Sequence, residues 1–310
     1  MIKYFNNQDI NKKKWDRCID DSVNARIYAY SWYLDIVSPE WSALILDDYQ
    51  AVFPITSGNK MGIKYCYQAP FTQQLGMFSP LLHTPQMLDS FLKKLSESFP
   101  LIQINLNSYN KTSVYKETIS SKINHELDLI ASYDNIRKSY SKNLKRNIKK
   151  AQKTDLTIFE NLKPEAVIDL FRANKGKEIK GLSDNDYQKL NHLIYKALSI
   201  NKVEVWGIYT PENNLCAAAV LMKDHKRFTF LFSATNQEAK DTGAMPFLID
   251  SFIQQHSEEK KIFDFEGSND ENLARFYKSF GSAVVHYPHF FQNNLSWHFS
   301  ILWKLKQWIK

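Results

Sequence analysis

The spacing of hydrophobic residues predicts helices and strands in alternating blocks along the chain. Within residues 11–37, Trp15 and Cys18 recur at helical spacing, and a second short helix is predicted at the end of this stretch. A strand-rich block follows, with a hairpin formed by WSALILDD and YQAVFPIT around Asp47-Asp48 and a third strand in GIKYCYQAP. A helix over 85–98 and the short apolar strands LIQINLN and KINHELDLI complete the first half.

The second half repeats this order of elements. Helices at 164–175 and 183–199 precede three strands in VEVWGIYT, NLCAAAVLM and RFTFLFSAT. The remaining predicted elements are a helix at 244–256, the strand KIFDFEG, a short helix at 270–280, a strand at 282–290 and a C-terminal helix at 296–309. A helix, three strands, a helix and a strand thus occur twice. This predicts two α/β (α+β) domains, 1–130 and 131–310, each with a mixed, mostly antiparallel sheet flanked by helices.

Composition restricts the class of protein further. The chain has 310 residues, of which 44% are hydrophobic and 24% charged, as in globular proteins and unlike disordered ones. Its three cysteines, Cys18, Cys66 and Cys216, form no CxxC pair, which argues against a disulfide scaffold or a zinc site. His286 and His289 have no nearby cysteine, so no metal is expected. No apolar run suits a signal peptide or a membrane span, so we expect a cytoplasmic protein.

The positive charge is concentrated in one predicted amphipathic helix. Residues 134–153 contain eight Lys or Arg and one Asp, a local charge of +7 that equals the net charge of the whole chain. Without alternating acidic residues the basic side chains repel one another, which favours binding of an anion over a merely solvated helix face. Nucleic acid, a nucleotide-linked precursor, coenzyme A and acidic lipid all remain open as that anion.

A second anion site is predicted before the helix at 244–256. Lys240 and Gly243 lie in a segment that leads into this helix, where unpaired N–H groups and the helix dipole suit a pyrophosphate. The alternative is an ordinary loop, because only one glycine precedes the helix and Asp241 would repel phosphate.

The strand IFDFEG predicts a catalytic carboxylate. It delivers Glu266, Gly267 and Ser268 at its carboxyl end, where ligands bind in α/β sheets. A carboxylate held there can accept the proton of an attacking amine. The alternative is that Glu266 caps the following turn or pairs with Arg275 or Lys278.

Two further segments each have two interpretations. The adjacent amides Gln73 and Gln74 lie in APFTQQLG, which is either a wall of an acceptor pocket or a polar connection between strands. The C-terminal helix at 296–309 carries Trp and Leu on one side and Lys opposite. It either docks on its own domain or makes peripheral contact with a membrane.

Three segments together indicate a family. Ser141–Ala151 (SKNLKRNIKKA) resembles the S-x-N-x-R-R-x-I-R-K-A segment of Fem-type peptidyltransferases and related bacterial GNAT acyltransferases. Phe263–Ser268 with Arg275–Gly281 looks like their F-D-F-x-G…F-K-x-x-F-G element, and the sequence around Gln73 is similar to their N-terminal half. With the repeated order of elements, the resemblance covers nearly the whole chain.

The resemblance implies tandem GNAT-like (acyl-CoA N-acyltransferase) domains, with an acceptor cleft between them, that transfer an activated acyl group to an amine of a cell-envelope precursor. The expected co-substrate is acyl-CoA or aminoacyl-tRNA, with no tightly bound cofactor. Glu266 is the candidate for the base or for positioning the acceptor. Tyr277 or Lys278 would support the oxyanion, because Tyr277 occupies the position of the family lysine. Substrate or co-substrate binding is expected at Lys142, Asn143, Lys145, Arg146, Lys149, Gln73, Gln74, Lys240, Gly243, Gly267, Ser268, Arg275 and Phe276.

Two other functions remain open at this point. One is an acyl-CoA-dependent N- or O-acyltransferase that acts on a sugar or another small molecule. The other is a non-catalytic protein that binds nucleic acid or acidic lipid through the basic helix. The sequence gives no indication of the oligomeric state.

Overall fold

A computed structural model describes residues 1–60, 62–177, 181–267 and 269–295. The chain folds into two compact units. The first unit contains Met1–Ile123 and the segment that begins at His286, and the second contains Asn124–Val285. Among the described residues, no helix combines the length and the apolar composition needed to cross a membrane.

The first unit is built on two groups of strands. Its elements are β1 (Ile2–Asn6), α1 (Lys12–Asp21), α2 (Ser31–Val37), β2 (Ser42–Leu46), β3 (Ala51–Ile55), β4 (Ser57–Lys60), β5 (Ile63–Tyr67), α3 (Pro85–Ser98) and β6 (Leu101–Asn105). Strands β1, β2 and β3 are antiparallel neighbours, which confirms the predicted hairpin at Asp47-Asp48. In the second group the strands are neighbours in the order β4, β5, β6 and β13 (Ala283–Asn293), and β5 runs parallel to β6. The short strands β1 and β4 lacked a predictive pattern.

Helix α3 supplies much of the apolar core of the first unit. Thr84 caps the helix by accepting the N–H of Met87 at 3.2 Å, and Pro85 occupies the first turn, where no N–H is needed. Phe91 stacks on Phe53 with ring centroids 6.0 Å apart. The helix therefore begins and ends where the sequence predicts.

The second unit contains most of the longer strands and the basic segment. Its elements begin with β7 (Ile119–Asp128), which shares residues with the first unit. They continue with α4 (Tyr133–Lys138), α5 (Lys142–Ala151), β8 (Thr157–Phe159), α6 (Pro164–Ala173), α7 (Asp184–Ser199), β9 (Val203–Tyr209), β10 (Leu215–Lys223), β11 (Arg227–Thr235), α8 (Gln237–Thr242), α9 (Ala244–Gln255), β12 (Ile262–Asp264) and α10 (Glu271–Lys278). The strands are neighbours in the order β7, β12, β11, β10, β9, β8. Only β11 and β12 pair in parallel within this described set.

Aromatic residues fill the core of the second unit between the strands and α9. Phe252 of α9 packs edge-on against Trp206 and Phe228, with ring centroids 5.2 Å and 5.1 Å away. Phe263 of β12 lies 5.6 Å from the same ring. Burial of large rings of this kind stabilises a fold by roughly 1.5–3 kcal/mol each.

The basic segment is not one helix, as the sequence suggested, but two. Helix α4 ends at Lys138 and α5 begins at Lys142, so the prediction of a continuous helix over 134–153 was wrong. At the break, the Ser141 side chain caps α5 and the Ser141 N–H donates to the Ser279 carbonyl instead of continuing α4. Gly281 has φ of +77° and lies directly against the Ser139 side chain, where no Cβ would fit.

The spatial units and the sequence halves differ at the end of the chain. Residues His289–Asn293 of β13 pair antiparallel with Leu101–Asn105 of β6, which groups this segment with the first unit. The predicted helix at 296–309 and its proposed membrane contact lie outside the described residues.

Candidate functional site

A cavity of about 560 Å³ lies between α5 and α10 in the second unit. Four residues that the sequence singled out line it, together with five that it did not. The lining residues are Ser141, Asn143, Leu144, Asn147, Asn272, Arg275, Phe276, Lys278 and Ser279. The volume suits part of a small-molecule substrate.

Helix α5 forms one wall because its apolar and polar residues occupy separate stripes. Leu144 and Ile148 are buried in the core, which turns Asn143 and Asn147 toward the cavity. The Ser141 side chain caps the helix by accepting the N–H of Leu144 at 3.2 Å. The wall is therefore fixed at its N-terminal end.

Helix α10 forms the opposite wall. Asp270 caps it by accepting the N–H groups of Asn272 and Leu273 at 2.9 Å and 3.0 Å. The N–H of Ser141 donates to the Ser279 carbonyl at 2.9 Å, which joins the start of α5 to the end of α10. The two family-like segments thus meet in space, although residues 152–262 separate them in sequence.

The cavity is cationic. Arg275 and Lys278 line it, and none of its nine lining residues is a carboxylate. Asn143, Asn147 and Asn272 add amide groups, and Asn143 accepts a hydrogen bond from Arg146 at 2.7 Å. Guanidinium, ammonium and amide donors together suit an anionic oxygen, such as that of a phosphate.

The basic residues of α5 divide into two groups. Lys142 and Lys149 are exposed, and their side chains make no hydrogen bond or ion pair with the residues that the structure describes. Lys145 instead donates to the Lys138 carbonyl at 3.1 Å, which closes the gap between α4 and α5. Lys142 and Lys149 therefore remain the more accessible charges of this face.

Glu266 occupies a turn directly after β12. Its backbone is left-handed, with φ of +52°, and its N–H donates to Asp264 Oδ1 at 3.1 Å. Asp264 is fully buried and also accepts a hydrogen bond from Asn124 at 2.7 Å. Arg227 balances the buried charge, because its Nη1 lies 3.6 Å from Asp264 Oδ2 and 2.8 Å from Glu126 Oε1. This network holds the turn in place.

Tyr277 faces the same turn from α10. The side chain is 5% exposed and packs on Phe265, with ring centroids 4.9 Å apart. A Cβ at Gly267 would lie 3.9 Å from the Tyr277 hydroxyl oxygen, which places that hydroxyl beside the Glu266-Gly267 turn. Burial, with the charges of Glu266 and Asp270, raises the pKa of Tyr277 well above its ordinary value. Its hydroxyl therefore stays protonated and can donate.

His125 is a residue that the sequence analysis missed. It is 2% exposed, and its backbone carbonyl accepts the N–H of Phe265 at 3.0 Å. Burial, with the nearby charge of Lys278, lowers the pKa of His125 below its ordinary value, so the ring is neutral near pH 7. His125 lies beside β12 because β7 pairs with that strand. No local motif around His125 predicts this pairing.

The predicted phosphate loop before α9 is mostly helical, because α8 occupies Gln237–Thr242. Lys240 lies in α8 and is exposed, whereas Gly243 joins α8 to α9 and is buried. A Cβ at Gly243 would come within 2.8 Å of the Asn147 carbonyl oxygen, so α5 covers this turn. The close approach accounts for the glycine, and phosphate binding here stays a prediction.

Gln73 and Gln74 belong to the first unit. Gln74 is fully buried, and its side chain bonds to Gln73 at 2.8 Å and to the N–H of Ser108 at 3.2 Å. The Gln73 carbonyl accepts a hydrogen bond from Asn105 at 2.9 Å. These bonds favour the reading as a structural connection. Ser268 lies outside the described residues.

No protein-family model matches the chain, and no curated protein matches it in sequence. Several solved structures superpose on the chain. FemX superposes with a TM-score of 0.64 at 11% identity, over 91% of this chain and 96% of that one. The C-terminal DUF2156 domain of a protein named as a lysylphosphatidylglycerol synthetase from Agrobacterium fabrum gives 0.56 at 13% identity, over 92% and 93%. A tandem GNAT protein from the clavulanic acid biosynthesis pathway gives 0.51 at 9%, over 94% and 98%.

These likenesses extend over nearly the whole length of each chain, at identities that establish the fold alone. They agree with the mixed α/β architecture and confirm the predicted fold class. The chain therefore shares its fold with FemX, with the DUF2156 domain and with the tandem GNAT protein.

Proposed function

We propose that the protein transfers an activated acyl or aminoacyl group to an amine, and that the amine belongs to a cell-envelope precursor. One observation carries the proposal. A cationic cavity free of carboxylates among its lining residues shares α10 with Tyr277, which faces the Glu266 turn. The same helix can thus contact an anionic substrate and the reacting group. The choice of an envelope precursor rests on the resemblance to Fem-type enzymes.

The proposed reaction is a direct attack of the amine on the acyl carbonyl carbon. A C–N bond forms while Glu266 accepts a proton from the amine nitrogen. The Tyr277 hydroxyl or the Lys278 ammonium donates to the carbonyl oxygen, which becomes negatively charged in the tetrahedral intermediate. Collapse of the intermediate breaks the bond to the donor's sulfur or oxygen, and that leaving group takes the proton from Glu266.

Both donor classes, acyl-CoA and aminoacyl-tRNA, carry phosphates that the basic residues can attract. Arg275 and Lys278 lie in the cavity, and Lys142 and Lys149 are exposed on the adjoining α5. Because Gly243 is buried beneath Asn147, the α5–α10 cavity is the better supported position for a phosphate.

The test is ligand-dependent thermal stability, followed by a transfer assay. The panel contains coenzyme A, acetyl-CoA, long-chain acyl-CoA, bulk tRNA and a UDP-linked peptidoglycan precursor. A ligand at 100 times its Kd should stabilise the protein by about 2.7 kcal/mol. Lys278→Met should remove most of the shift, whereas Lys196→Met, an exposed lysine on α7, should keep it.

The ligand that raises the thermal stability identifies the class of donor. A shift with acyl-CoA, with product formed from it, would indicate an acyl-CoA-dependent enzyme. A shift with tRNA or the UDP precursor and none with coenzyme A would indicate an aminoacyltransferase. A folded protein that responds to no member of the panel and forms no product would contradict the proposal.

A further inference from the structure

A second cluster of polar groups lies on the first unit, outside the α5–α10 cavity. It consists of Asn105 on β6, Lys122 on β7 and His289 on β13. Lys122 Nζ donates to Asn105 Oδ1 at 3.1 Å, and His289 Nδ1 lies 2.8 Å from the same oxygen. Two groups from different strands therefore converge on one amide oxygen.

The chemistry of the ammonium fixes the hydrogen-bond pattern. Lys122 has donors only, so the Asn105 atom that it contacts must be the oxygen. His289 then also donates to that oxygen, which leaves its Nε2 as an acceptor. The Asn105 amide nitrogen donates to the Gln73 carbonyl at 2.9 Å, and its backbone N–H donates to Gln68 at 2.8 Å. Asn105 is thus held rigidly with its oxygen facing Lys122.

This arrangement leaves the charge of Lys122 uncompensated. The side chain is partly buried, and among the described residues no carboxylate lies within ion-pair distance of it. Asn105 occupies one of its three donors. A partly buried ammonium with unused donors is stabilised by an anion from outside the chain. Burial lowers the pKa of Lys122, and burial together with the Lys122 charge lowers that of His289 to about 4.

The strand register places exposed residues next to the cluster. His289 pairs with Asn105, and Phe291 pairs with Gln103 two residues along the same strands. Alternate residues of a strand share a face, so Gln103 and Phe291 flank the cluster, and both are exposed.

We propose that Lys122, Asn105 and His289 form a binding site for an anionic oxygen, either a carboxylate or a phosphate, on the first unit. Lys122 binds the anion directly. Asn105 orients the ammonium, and the Nε2 of neutral His289 can accept a hydrogen bond from a hydroxyl group of the ligand. The site does not depend on the proposed transfer reaction.

The experiment measures protection of Lys122 in the intact protein. Reductive methylation with formaldehyde, followed by peptide mass spectrometry, reports the labelling rate of each lysine. The probes are sodium acetate and inorganic phosphate, added at constant ionic strength against chloride. With a probe at ten times its Kd, labelling of Lys122 should slow about tenfold. Lys93, which is exposed on α3, serves as the internal control and should label at an unchanged rate.

The two probes separate the sources of the anion. Protection by acetate alone indicates a carboxylate ligand, protection by phosphate alone indicates a phosphate ligand, and protection by both supports a general oxyanion site. Equal labelling of Lys122 with and without either probe overturns the proposal. As a second measurement, Lys122→Met should abolish the stabilisation by the active probe, whereas Lys93→Met should retain it. If the probe stabilised Lys122→Met as much as Lys93→Met, the proposal would also be overturned.

Discussion

The carboxylate of Asp264 accepts the backbone N–H of Glu266 at 3.1 Å, across a turn in which Glu266 is left-handed. A left-handed backbone costs a residue other than glycine roughly 1–2 kcal/mol, so the turn needs support from its surroundings. Asp264 provides that support from a fully buried position, with Arg227 as its countercharge. The proposed catalytic carboxylate is therefore held by a second carboxylate beneath it.

Replacing Asp264 by Ala should destabilise the protein strongly. The change leaves Arg227 buried with one fewer partner and removes the acceptor of the Glu266 N–H, so a loss of about 3–5 kcal/mol is expected. Urea unfolding measures the loss. Glu212→Ala, at an exposed hairpin position, is the control and should change stability by less than about 0.5 kcal/mol. Equal values for both variants would show that the network does not support the turn.

Glu266→Gln should separate catalysis from stability. The amide keeps the size of the side chain but cannot accept the amine proton, so turnover should fall by about 10²- to 10⁴-fold. The backbone N–H that bonds to Asp264 is unaffected, so the unfolding free energy should stay within about 0.5 kcal/mol of the original. The measurement is single-turnover transfer with the donor identified by the panel. An unchanged rate would remove Glu266 from the mechanism.

The sequence predicted elements wherever one strong periodicity decided the structure. Helix α3 was predicted with its bounds as observed, because Pro85 and the phenylalanine-leucine stripe leave one choice. The prediction of one basic helix failed because the charge pattern continues through Ser139, whereas at the break Ser141 caps α5 and bonds to the Ser279 carbonyl, far along the chain. The candidate cavity shows the same limit. Arg275 and Lys278 came from a motif, but Asn272 joins the cavity only through tertiary packing. His125 likewise lies beside Phe265 only through strand pairing.

His256 should make stability depend on pH. Its Nδ1 lies 2.7 Å from Glu259 and its Nε2 3.3 Å from Glu204. Burial opposes the charged ring, but hydrogen bonds to both carboxylates raise the pKa of His256 above its ordinary value. A raised pKa in the folded state gives stabilisation that is complete below the unfolded value of about 6.5 and is lost as pH rises through the folded value.

The check on His256 is the unfolding free energy at pH 6 and at higher pH values. The lowered pKa values of His125 and His289 work in the opposite direction, so the contribution of His256 is the difference between the original protein and His256→Gln. The stability of the original protein relative to His256→Gln should fall as pH rises over this interval. His192→Gln, at an exposed position on α7, should retain the full dependence. Identical pH profiles for all three proteins would show that His256 is not the group responsible.

Gly243 offers a test of how closely α5 covers the start of α9. Both Gly243 and Gly62 have left-handed backbones, with φ of +82° and +78°. A Cβ at Gly243 would lie 2.8 Å from the Asn147 carbonyl oxygen, whereas a Cβ at Gly62 would meet nothing within 4 Å. Both Ala variants should therefore lose roughly 1–2 kcal/mol to backbone strain. Gly243→Ala should lose a further 1–3 kcal/mol or so, because a backbone atom of α5 has to move. Urea unfolding of the two variants measures the difference, and equal losses would mean that the Asn147 carbonyl of α5 does not constrain position 243.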